Sequence, residues 1–218
     1  MKITLVSSCG LVLEQDGQTL LIDALNKQYR CYYGLPPETF VRMLSGEPPY
    51  DAVCGILFTH AHPDHYSASR TEQLRAACGA AVVLPQPDTP ERLNVQLGPF
   101  AVECSRFPHI PVPGLEEIAH AVYWISAAGK SVYVTADAQI DTTRHRAILR
   151  GRRADAAFWN GQYLSHPETR ELLLEAAQEL LHGVRIGIVT GRIGGLRPHR
   201  HLAHAADADV DHRRAVAL

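Results

Sequence analysis

The strongest constraint on the fold is the run Asp51–Thr59, which is apolar almost throughout and leads directly into Thr-His-Ala-His-Pro-Asp-His. A run this short and this apolar reads as a strand buried on both faces, so its sheet needs cover above and below. Such a strand ending in His60, His62, Asp64 and His65 places four ligand-type side chains on one tight loop at the edge of a core.

The remaining chain supplies the sheet partners. Lys2–Ser8, Leu11–Glu14 and Thr19–Ala24 read as a meander of strands, with Asp16-Gly17 as a turn signal. Pro36-Pro37 opens a helix over Glu38–Leu44, since proline at a helix entry loses no hydrogen bond. A second helix is expected over Ser67–Ala77, and a buried strand over Ala80–Leu84. The Pro-rich segment Pro85–Pro99 reads as loop, with a short helix at Glu91–Gln96. Strands follow at Phe100–Phe107, His120–Ser126 and Lys130–Thr135, the last two joined at Ala127-Ala128-Gly129. Thr142–Leu149 patterns as a helix and Asp155–Trp159 as a strand. Pro167–Leu181 is the clearest helix, with Leu172, Leu173, Ala176, Leu180 and Leu181 on one face, and Val184–Val189 is a final strand. Strands first as a meander, then alternating with helices, predict an α/β fold: a four-layer αββα sandwich of two mixed sheets flanked by helices. One domain is expected over residues 1–200, with 201–218 a tail of no clear period.

Composition narrows the function classes. The net charge of −2 gives no basic footprint for nucleic acid and no polybasic membrane patch. No stretch reaches the roughly 18 apolar residues of a membrane span, and the N-terminus turns polar too early for a signal peptide. Five cysteines at wide spacing, without a Cys-x-x-Cys pair, point to reduced thiols and a cytoplasmic protein. Most read as small core residues; Cys9 either packs or lines the pocket. The unusual number is twelve histidines, clustered at 60–65 and 199–204.

In an extended stretch, residues two apart point the same way, so His60 and His62 can share one ion. Pro63 forces a turn that lets Asp64 and His65 project towards a second. Neutral imidazole and carboxylate are ligands that zinc and its neighbours accept.

On these residues the sequence resembles the metallo-β-lactamase superfamily, over most of the chain to about residue 190. The His60, His62, Asp64, His65 set matches the superfamily's first histidine motif and looks like its dinuclear, hydrolytic branch. The resemblance implies His109 as the next ligand, with His120 the alternative, although His120 opens a strand and reads as a packing residue. It implies Asp137, in Val-Tyr-Val-Thr-Ala-Asp-Ala, as the bridging acid, with Ala136 where glycine is usual. A carboxylate at the end of an apolar strand is costly to bury unless it coordinates or pairs. The pattern departs at the last ligand, where Gly191 replaces the expected histidine. Either Asp64, His65 and Asp137 alone hold the second ion, or His199, His201 or His204 folds back, or the second site is weak. His166, at the start of the strong helix, is either an acid/base group or a plain helix-entry residue.

The expected cofactor is a pair of divalent ions, zinc first, with manganese or iron as alternatives. The expected activity is a metal-dependent hydrolase using a metal-bound hydroxide on an ester-type bond (phosphodiester, lactone or thioester), with Asp64 and His166 as catalytic candidates. The other readings are a non-catalytic or regulatory metal-binding protein with an impaired second site, and an iron-dependent redox enzyme. The expected partner is a small-molecule substrate, anionic charge being compatible with a bound cation; nucleic acid and membrane are not expected, and self-association stays open. Pocket walls are sought in Asn26–Leu35, with Tyr29, Tyr32 and Tyr33, and in Pro85–Pro99.

Overall fold

The computed structural model describes residues 1–30, 32–111, 118–165, 167–180 and 186–189. Its first sheet holds β1 (Lys2–Leu5), β2 (Leu11–Gln15), β3 (Gln18–Ile22), β4 (Val53–Leu57) and β5 (Ala81–Val83), in that order. The three strands of the meander are antiparallel, and β3–β4 and β4–β5 are parallel. The second sheet holds β6 (Arg92–Leu97), β7 (Phe100–Arg106), β8 (Ala121–Ala127), β9 (Lys130–Ala136), β10 (Ala156–Asn160) and β11 (Ile186–Val189), in sequential order. Its first four strands are antiparallel, and β9–β10 and β10–β11 are parallel.

Side-chain alternation builds three cores from these two sheets. Leu11, Leu13, Leu20, Ile22 and Leu57 face Phe100, Val102, Tyr123, Ile125, Val132 and Val134 between the sheets. The alternate residues Val12, Leu21, Ile56 and Phe58 face outward, against Phe40 and Met43 of α1 (Pro37–Leu44) and Leu74 of α2 (Ala68–Cys78). On the other side Val122, Trp124, Tyr133, Ala157 and Trp159 meet Ile148 and Leu149 of α3 (Thr142–Leu149) and Leu173 and Ala176 of α4 (Pro167–Leu180). The period of two sends each strand's residues to opposite faces, and both faces are covered. The result is the expected four-layer αββα sandwich.

Gly55 faces the middle layer, where a Cβ would lie 2.6 Å from Leu97 Cδ1 and 2.9 Å from Leu20 Cδ1, so glycine lets the sheets close over β4. Buried Tyr123 donates from β8 to the Phe58 carbonyl at 2.6 Å, and Ala121 N donates to Thr59 O at 2.9 Å. These bonds join the end of β4 to the start of β8.

One expectation is overturned: residues 92–97 are a strand, not part of a short helix at Glu91–Gln96. Leu93, Val95 and Leu97 alternate with exposed Arg92, Asn94 and Gln96, which suits a strand edge and gives no helical stripe. No described helix is long and apolar enough to cross a membrane.

Candidate metal centre

The centre lies where strand ends from both sheets meet. The first sheet contributes the loop after β4, with His60 fully buried and His65 4% exposed. His65 N and Tyr66 N both donate to His62 O, at 2.9 and 2.8 Å, which closes the turn that Pro63 begins. The second sheet contributes His109, beyond the end of β7, and Asp137, just past β9. A β-bridge between His109 and Ala138 sets these two segments side by side.

His60, His62, His109 and Asp137 converge, each presenting one ligand atom, all within 4.8 Å of one another. Asp137 Oδ2 lies 3.6 Å from His109 Nε2, 3.7 Å from His65 Nε2 and 4.0 Å from His60 Nε2. Such gaps are too long for hydrogen bonds, yet close to the separation of about 3.3 Å between donors on a tetrahedral ion with bonds near 2.0–2.1 Å. Buried Nε2 atoms of His60 and His109 have no hydrogen-bond partner. Orphaned buried imidazole nitrogens are costly, and an ion accepting their lone pairs removes the cost. The donor set therefore fits a divalent metal. Asp64 stands beside it, its Oδ2 3.9 Å from His65 Nε2, and Asp137 Oδ2 lies 3.7 Å from the same atom.

Electrostatics agree with this geometry. Burial, reinforced by neighbouring imidazoles, holds His60 well below the ordinary histidine pKa, and burial with His109 lowers His62. These rings keep their lone pairs, as ligands must. Burial would raise the Asp137 carboxyl, but His65, His109 and His120 outweigh it and hold its pKa at about 2. Burial opposes protonation of His65, yet the Cys9 sulfur, Asp23 and Asp137 together raise it well above its usual range.

Two supporting residues escaped the sequence reading. Asp23, 1% exposed at the end of β3, accepts from Thr59 N at 2.8 Å and Thr59 Oγ1 at 2.7 Å. Its Oδ2 also lies 2.9 Å from His65 Nδ1, an arrangement that turns Nε2 of that ring into the site. Asn160, at the end of β10, donates from Nδ2 to Asp137 Oδ1 at 2.6 Å, leaving Oδ2 to face the histidines. Asp23 carried the signal that marked Asp137, an acid closing an apolar strand; Asn160 carried a weaker one, an amide in the same kind of place.

Other candidates fall as follows. Cys9 donates to the Asp64 carbonyl at 2.8 Å, and burial pushes its thiol up to about 11, so it braces the histidine loop as a neutral group. His120, 2% exposed, directly precedes β8. Tyr29 and Tyr32 form a β-bridge in the loop after β3, and the Tyr33 carbonyl accepts from Ser8 N at 3.0 Å and from Asn26 Nδ2 at 3.3 Å. This ties the tyrosine loop to the turn bearing Cys9. His166, Gly191, His199, His201, His204 and the tail 201–218 lie outside the described residues.

No protein-family model and no curated protein matches the chain. Solved structures do. The CmlA β-hydroxylase E377D mutant aligns over 72% of this chain at 17% identity with a TM-score of 0.51. Only 34% of that protein is covered, so the chain spans about a third of its length. The metallo-β-lactamase fold protein YhfI from Bacillus subtilis aligns over 84% of this chain and 90% of its own, at 14% identity and a TM-score of 0.47. Zinc-bound PqqB from Methylobacterium extorquens aligns over 70% of this chain and 59% of its own, at 15% identity and a TM-score of 0.45. With two mixed sheets, flanking helices and histidines at the strand ends, the chain has the metallo-β-lactamase fold.

Proposed function

We propose that the chain is a metal-dependent hydrolase of ester-type bonds in a small, anionic substrate. The observation that carries this reading is the convergence of His60, His62, His109 and Asp137, with buried Nε2 atoms on two of the rings lacking a hydrogen-bond partner among the described residues. A divalent ion, zinc by preference for this donor set, would supply Lewis acidity to an acyl or phosphoryl oxygen and to water. His60, His62, His109 and Asp137 would hold the first ion, and Asp64 and His65 would contribute donors to a second.

The chain's own groups do the rest. Asp23 fixes the orientation of His65, and Asn160 fixes that of Asp137, so the donors are set before any ligand arrives. Asp64, whose side chain is 14% exposed, is the second carboxylate of the site and stands against His65. The positive charge of bound ions favours an anionic substrate, such as a phosphodiester, over a neutral one. Cytoplasmic residence belongs to the same proposal, supported by the free thiols of Cys9, Cys54, Cys78 and Cys104.

CmlA is described as a β-hydroxylase, so the fold does not by itself select hydrolysis. Asp64 beside His65 favours hydrolysis because it adds a hard carboxylate suited to a second divalent ion. The test is metal analysis of the purified chain, then turnover of phosphodiester, lactone and thioester substrates by wild type, His62→Ala and Asp137→Ala. Metal-dependent hydrolysis abolished in both variants is expected. Stoichiometric metal without turnover would reduce the chain to a metal-binding protein. Iron-dependent oxygen uptake in place of hydrolysis would overturn the reading.

A further inference from the structure

We propose that His120 is a further metal-ligating imidazole, joining His60, His62 and His109 around the first ion. The inference rests on the metal-dependent reading above and adds a donor to it.

His120 is 2% exposed; one ring nitrogen approaches the Phe107 backbone, and neither Nδ1 nor Nε2 has a partner at full hydrogen-bond geometry among the described residues. A neutral imidazole carries one N–H and one lone pair, and leaving both unmet in a core is expensive. If packing were the whole role, a phenylalanine or leucine would fill the place at lower cost. The buried histidine of α3 shows the contrast. His145, fully buried, has Nδ1 2.7 Å from the Tyr133 hydroxyl and Nε2 3.2 Å from the Gln139 carbonyl. His120 has no such arrangement, and it sits among ligand-type rings.

Ring spacing places it in the cluster. The centroids of His60, His62 and His109 stand 4.6, 4.7 and 4.8 Å apart, pair by pair. The His120 centroid is 5.2 Å from His60 and 5.5 Å from His109, about half an ångström outside that spacing. The backbone on either side is fixed, because Phe107 N donates to His120 O at 3.0 Å and Ala121 N to Thr59 O at 2.9 Å. The residue is thus held against the ends of β4 and β7, with its ring turned among the ligand-type rings of His60 and His109. With four imidazoles available to the first ion, Asp137 would be free to serve Asp64 and His65, its Oδ2 already lying 3.7 Å from His65 Nε2.

The test uses the full chain, stripped with a chelator and reloaded with zinc or cobalt(II). Zinc affinity is measured by competition with a chromophoric chelator for wild type and His120→Phe. Cobalt(II) spectra are compared for wild type and His120→Cys, where a thiolate bound to cobalt adds a charge-transfer band. Expected are a loss of about 10–100-fold in zinc affinity for His120→Phe, and a new thiolate–cobalt band in His120→Cys. The metal-free His120→Phe protein should unfold no earlier than metal-free wild type. Unchanged affinity, with no added band, would overturn the proposal while leaving the metal centre intact. A wild-type chain that takes up neither ion would remove the metal reading and this proposal together. Should His120→Phe fail to fold, the cobalt band of His120→Cys decides.

Discussion

Asn160 Nδ2 lies 2.6 Å from Asp137 Oδ1, so the acid of one strand end is held by the amide of the next. The bond splits the two carboxylate oxygens between tasks, one fixed by the protein and one turned to the histidines. Replacing Asn160 with leucine frees the carboxylate to rotate. Zinc affinity should fall about 10–100-fold, the usual cost of losing a partner behind a ligand. Chelator competition reads the change; an unchanged affinity would show that Asp137 is positioned without Asn160.

Asp23 gathers three groups from the loop it faces. Asp23→Asn places an amide N–H₂ against at least one existing donor, and a buried donor without an acceptor costs about 1–3 kcal/mol. Denaturant unfolding of the metal-free chain should register that loss. A second readout, zinc affinity, should also drop, because His65 is no longer locked.

Ala136 has φ +44°, in the left-handed region that costs a non-glycine residue about 1–2 kcal/mol. The residue directly precedes Asp137, and the turn it makes takes the chain out of β9. Glycine relieves this strain but gives back about 0.5–1 kcal/mol of unfolded-state entropy. The expected result for Ala136→Gly is a net stabilisation of about 0.5–1 kcal/mol, measured as a higher denaturation midpoint with unchanged slope.

His145 provides a pH test away from the metal centre. It stacks on Phe107 at 4.3 Å, and burial lowers its pKa from 6.5 to about 4. The Gln139 carbonyl must accept from Nε2–H, so Nδ1 is the lone pair that accepts from Tyr133. Between those two pKa values the unfolded chain binds the proton and the folded chain does not. Stability from this group is therefore complete above pH 6.5 and is lost as pH falls towards 4. The span of about 2.5 units corresponds to about 3 kcal/mol. The advantage of wild type over His145→Phe should shrink by that amount across this window, with denaturation at several pH values as the measurement.

The layers of the fold were legible because burial on both faces leaves a mark in sequence. The nearly continuous apolar run at Asp51–Thr59 read as a strand covered above and below, and β4 lies there between two packed faces. Residues 92–97 were misread because a preceding proline and glutamate mimic a helix start, while Leu93, Val95 and Leu97 kept the period of a strand. The four residues of the histidine loop stood out because their spacing is local. Asp23 and Asn160 did not, since their meaning depends on which strand ends lie side by side, and that is decided by pairing across the sheet. For His120 the sequence registered burial, but not that its ring would lie beside those of His60 and His109.

The bond from Ala121 N to Thr59 O is a small stitch with a wide consequence. His60, His62, Asp64 and His65 come from the first sheet, while His109 and Asp137 come from the second. Neither half of the chain brings all of these donors, so an ion held here would act as a rivet between two leaves. Loading it should tighten the seam along its length, raising amide protection in both sheets at once, and a fragment ending before β7 would keep the histidine loop yet have nothing to fasten it to.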